Sequence, residues 1–111
     1  MEILTHPDNE EIFLKTNCIN VITNEKPIKA YLPDPQGKVC FVKVLFTNNP
    51  FQSQFISKDI ITIGTKTFPS NYIICQCDSQ PSFLYVPKKN GWYVISQADW
   101  IIPQESVEWK M

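Results

Sequence analysis

Residues 39–47 read Val-Cys-Phe-Val-Lys-Val-Leu-Phe-Thr, the longest apolar stretch of the chain. Cys40, Val42, Val44 and Phe46 occupy alternate positions, with Lys43 between them. Successive side chains of a strand point to opposite faces, so this alternation predicts a strand with its even residues in the core and Lys43 outside.

Outward from that strand, the chain breaks into short apolar runs separated by turn residues. Upstream, Pro33-Asp34-Pro35-Gln36-Gly37-Lys38 can be neither helix nor central strand. Before it, Ile28–Leu32 alternates as a half-buried strand, Asn24–Pro27 reads as a turn, and residues 18–23 and 11–15 are further apolar runs. Downstream, a polar loop opens at Asn48-Asn49-Pro50 and reaches Gln54; Phe55-Ile56 reads as a brief strand, and Ile60–Ile63 as a clearer one ended by Gly64. After a second loop, residues 64–71, come strands at 72–77 and 82–86, parted by the turn 78–81. Asn90-Gly91, between Ser82–Val86 and Trp92–Ile95, is a hairpin signal, because both residues tolerate positive φ. Trp100–Ile102 and Val107–Trp109 are candidate strands in an otherwise polar tail. Two tryptophans left in water would be costly, so the tail is expected to pack on the body or on a neighbouring subunit.

Short strands at roughly 8–12-residue spacing predict an all-β, antiparallel β-sandwich or a jelly-roll or β-prism-like stack. No segment sustains helical periodicity, and 111 residues suit one domain, 1–111, with residues 1–10 a flexible lead-in and 96–111 a packed tail. The composition agrees: alanine occurs only at Ala30 and Ala98, and nine prolines stand against three glycines. A core of this size gains from a subunit interface.

The net charge is −1 and the chain has no arginine, which argues against nucleic-acid binding. No apolar run approaches the ~20 residues of a membrane span. The first eight residues resemble no secretory signal, so the expected location is inside a cell.

Catalytic chemistry finds little support. His6 is the sole histidine and reads as a solvated residue of the N-terminal segment, without the orienting partner that acid–base chemistry needs. Glycosidase chemistry needs two facing carboxylates, which only the fold can supply. Asp34 and Asp78 read as turn caps. Three glycines make no phosphate-cradling loop. Cys18, Cys40, Cys75 and Cys77 lie in apolar runs and read as buried free thiols, a disulfide or a zinc site being the alternatives. The strand aromatics read as core. Phe51 and Phe68 lie in loops, either folded back as plugs or exposed as anchors.

From Leu32 to Ser96 the chain resembles a β-rich domain of phage tail-fibre, tail-spike and viral appendage proteins. The resemblance rests on Leu32-Pro33-Asp34-Pro35, Gly37-Lys38, Val39–Val44, Ile61-Thr62-Ile63-Gly64, Ser82–Val86 and Gly91-Trp92-Tyr93-Val94-Ile95. It implies a homotrimer on a virion, attaching to a host surface glycan or stabilising the capsid beside other virion proteins. The expected protein is therefore a non-enzymatic viral structural module with no cofactor and no metal. Its candidate binding or interface residues are Phe51, Phe68, Asn71, Trp100 and Trp109. The alternative is a monomeric carbohydrate- or peptide-binding module, cytoplasmic, that uses loops 47–54 and 64–71.

Overall fold

The computed structural model describes residues 1–67, 70–76, 80–96 and 100–110. Among them are strands β1 (Glu2–Thr5), β2 (Glu11–Phe13), β3 (Cys18–Ile22), β4 (Lys29–Tyr31), β5 (Cys40–Phe46) and β6 (Gln54–Ile56). There follow β7 (Ile60–Ile63), β8 (Lys66–Thr67), β9 (Tyr72–Cys75), β10 (Ser82–Val86), β11 (Gly91–Val94) and β12 (Trp100–Ile101). They form two sheets: a larger one of seven strands ordered β1-β3-β5-β10-β11-β7-β8, and a smaller one of five ordered β12-β9-β6-β4-β2. No described helix is long and apolar enough to cross a membrane.

The all-β architecture agrees with the sequence, but the strand directions correct it: the sheets are mixed, not antiparallel. From β1 to β6 the chain alternates between the two sheets, so each strand returns to its own sheet pointing the same way. Hence β1, β3 and β5 run parallel in the larger sheet, and β2, β4 and β6 run parallel in the smaller. The parallel pairing of β7 with β11 continues the mixture. Antiparallel ladders come from the second half, where β10 pairs with β5 and β11, and β9 pairs with β6 and β12. Period-two patterning reports which face a residue occupies but is blind to strand direction, and a turn residue marks a bend equally where the chain reverses and where it crosses between layers about 10 Å apart.

The central strand behaves as its alternation predicts. Cys40, Val42, Val44 and Phe46 are buried, while Lys43 is exposed. They meet Ile12, Ala30, Phe55 and Ile73 of the smaller sheet, along with Phe83 and Trp92. Phe55 is the aromatic hinge of this core: Phe46 lies edge-on at 6.1 Å, Phe83 at 5.4 Å and Trp100 at 6.0 Å.

Two turns depart from their sequence reading. Residues 64–71 are not all loop, because Gly64 (φ +64°) turns β7 back into β8. In the β10–β11 hairpin only Asn90 takes positive φ, at 50°, after a 3₁₀ turn over Pro87–Lys89. Gly91 is a strand residue, and its lack of a side chain serves packing: a Cβ there would lie 3.0 Å from the Ile60 carbonyl oxygen of the neighbouring strand.

The N-terminal residues are built into the larger sheet as β1. His6 is half-buried, and its Nε2 lies 2.8 Å from Oδ1 of the buried Asn20. The Asn20 amide nitrogen donates to the carbonyl oxygens of Lys15 and Lys43, which fixes Oδ1 as the acceptor and places the imidazole proton on Nε2. His6 is therefore a strand clamp, not the solvated residue its sequence setting suggested.

Candidate interaction surface

Strand alternation gives each sheet an inner and an outer face, and the two outer faces differ. On the smaller sheet the register aligns Phe13, Tyr31, Ile56 and Tyr72 in one outward row. Tyr31 is 1% and Ile56 2% exposed, because the tail runs across this face. The Asn71 side chain grips the backbone of Val107, donating to its carbonyl at 2.8 Å and accepting from its N–H at 2.9 Å, and also donates to the Ser57 carbonyl. The Trp109 indole donates to the Leu32 carbonyl at 2.7 Å, with the Lys58 ammonium 5.8 Å from its ring centre. Lys110 pairs with Glu11 at 3.4 Å, and Glu11 accepts a 2.6 Å hydrogen bond from the Tyr31 hydroxyl.

Electrostatics follow this clasp. Burial first, and the Glu11 carboxylate second, push the Tyr31 hydroxyl up to about 12. The Tyr31 hydroxyl, helped by Lys110, holds Glu11 below the usual carboxylate range. Glu11 is thereby an ionised partner and a poor proton donor.

On the larger sheet, Ile3, Ile19 and Lys43 form one outward row, Thr5, Val21 and Leu45 a second, and Phe41, Leu84, Tyr93 and Thr62 a third. Ile3 is 67% and Leu45 42% exposed; Ile19, Val21, Phe41, Leu84 and Tyr93 are half-buried against one another. Lys43 is the one charge in these rows, and its ammonium lies 5.9 Å from the Phe41 ring centre. A solvated sheet face ordinarily carries alternating polar residues; a contiguous apolar one marks a contact surface.

The residues singled out in the sequence do not converge. Asn71 and Trp109 both fasten the tail, Trp100 packs on Phe55 and Phe83, and Phe51 is 44% exposed. Phe68, Cys77 and Asp78 lie outside the described residues. Loops 47–54 and 64–71 sit at opposite ends of the β6–β9 ladder: Gln52 bonds to Cys75 at one end and Asn71 to Ser57 at the other. The outward rows of the larger sheet escaped the sequence reading, although Ile19, Val21, Phe41 and Leu45 were visible as apolar residues on the odd positions of their strands.

Other chemistry is sparse. Cys18, Cys40 and Cys75 are buried, and burial pushes the Cys18 and Cys40 thiols up, away from reactivity. Among the described residues no group of three His, Cys, Asp or Glu side chains is placed to hold a metal. A shallow cleft of about 230 Å³ lies between Glu10, Glu11, Pro27, Lys29, Gln52 and Gln54. No family model, curated protein or solved structure matches the chain.

Proposed function

We propose that the protein is a non-enzymatic structural module of a virus particle, working by surface contact in attachment or capsid stabilisation. The observation that carries a contact role is the apolar outer face of the larger sheet, which no described segment covers around Ile3 and Leu45. The viral setting comes from the likeness of residues 32–96 to virion appendage domains. On this reading the face seats against another virion protein, and Lys43 sets the orientation of the contact.

The test is to follow the chain in purified virus particles from its source. Leu45→Lys and Leu84→Lys together place charge in the second and third apolar rows without touching the core. The doubly substituted chain should keep its fold and lose its place in the particle. A wild-type chain absent from particles, or a substituted chain retained in them, would overturn the proposal.

One observation favours a second reading, as a glycan-binding module. The cleft beside loop 47–54 is lined by Gln52 and Gln54 amides and by the Glu10 and Glu11 carboxylates, groups suited to sugar hydroxyls. Its site would be that cleft alone, because loop 64–71 lies at the far end of the ladder.

A further inference from the structure

We propose that β1 is a self-association edge, through which two copies of the chain join their larger sheets by antiparallel pairing of Glu2–Thr5 about a twofold axis at Leu4.

The His6 N–H donates to the Val21 carbonyl at 3.0 Å. Backbone polarity alternates along a strand, so Glu2, Leu4 and His6 turn their amides and carbonyls toward β3. Ile3 and Thr5 turn theirs to the open side, where β1 is the last strand of its sheet. The other edges are less available. β8 and β12 have two residues each, and β2 is tied to the tail through Glu11 and Lys110. An exposed edge with apolar neighbours is a template for another strand.

The sequence of β1 selects both partner and register. With the axis on Leu4, Ile3 of each copy faces Thr5 of the other, and every outward amide and carbonyl of both residues is paired. An axis on Thr5 would set Ile3 against Pro7, which has no N–H. An axis on Ile3 would set Glu2 against Leu4. The Leu4 register instead sets Glu2, whose carboxylate pairs with Lys15 of its own copy, against His6 of the second copy, with no like charges opposed. Leu4 meets Leu4 on the inner side, and on the outer side the Ile3–Ile19 row of each copy runs on into the Thr5–Val21 row of the other. The contact is isologous, as a twofold dimer requires.

The pairing does not depend on what the outer face binds, so its test reads mass rather than particle incorporation. Light scattering of the wild-type chain should give twice 12.9 kDa. Ile3→Pro removes an N–H that β3 does not use and should give 12.9 kDa with the tryptophan fluorescence of the folded chain. Leu4→Cys should form a covalent dimer under mild oxidation: a directly opposed non-hydrogen-bonded pair has Cα atoms about 4.5 Å apart, within disulfide reach. Ile3→Cys, facing Thr5, should form far less. A wild-type mass of one or three chains overturns the proposal. So does a dimer whose mass Ile3→Pro leaves unchanged, or one that cross-links equally through Ile3→Cys and Leu4→Cys.

Discussion

The outer faces of the two sheets carry similar apolar rows and meet opposite fates. Tyr31 and Ile56 are almost wholly buried, because residues 107–110 lie across them. Ile3 and Leu45 are open, and no described segment crosses their face. An outward apolar residue is thus no marker of a binding surface by itself. The marker is an apolar row that the chain does not cover with its own backbone. The tail shows what covering such a row takes: an anchoring indole, an amide that mimics a strand partner, and an ion pair at the far edge.

Three perturbations of the covered face would break or sharpen this contrast. Trp109→Ala should have the largest effect, about 2–3 kcal/mol, below the roughly 3–5 kcal/mol for losing a fully buried large aromatic because the ring is only half-buried. It also leaves the Leu32 carbonyl without its donor. Urea unfolding measures the loss, and binding of a hydrophobic dye should rise as the Tyr31 face comes to resemble the bare one. No change in either would show that the tail does not cover this face.

Asn71→Ala removes both bonds to Val107 and the bond to Ser57. About 1–2 kcal/mol should be lost by the same unfolding measurement, and protease cleavage near residue 105 should quicken. Unchanged cleavage would place the hold on the tail in Trp109 alone.

The smallest effect is alkaline. The folded-state value of Tyr31, about 12, lies above the ordinary tyrosine value of 10. Its stabilising contribution is therefore complete below pH 10 and lost as pH rises through 12. Glu11 works in the opposite direction: its value is lowered in the fold, so its contribution is present above the usual carboxylate range and lost on acidification. The clasp is firmest between those limits. Burial raises the Tyr85 hydroxyl as well, so phenolate absorbance should show a late-titrating component that Tyr31→Phe diminishes without removing and that Glu11→Gln shifts in part to lower pH. A late component left undiminished by Tyr31→Phe would assign the shift to Tyr85 alone.

The legible part of the fold was the part written in period two. Residues 39–47 announced their buried face, and most strands began a few residues after a Pro, Gly or Asn visible in the sequence. Direction was not legible, because a turn residue shows that the chain bends without showing whether it returns alongside or crosses to the other layer. Asn90-Gly91 illustrates a subtler ambiguity: one residue supplies positive φ, while the other supplies the missing Cβ that Ile60 requires. His6 looked idle because its partner, Asn20, is fourteen positions away and meets it only through the β1–β3 pairing. Of the candidate site, the tryptophans read as costly to leave in water and Asn71 as a contact residue, but whether they serve the chain or a partner depended on distant backbone. Trp109 finds its acceptor 77 positions upstream.

That separation also sets a schedule. During synthesis Leu32 and Tyr31 are made long before Trp109, and at about 5–20 residues per second the gap lasts several seconds. In that interval the strands of the smaller sheet can pair while their outer row is still wet. A nascent chain therefore has two adhesive faces and a finished one has a single such face. Chaperone demand should concentrate in those seconds, and a shortened tail would make the newborn condition permanent.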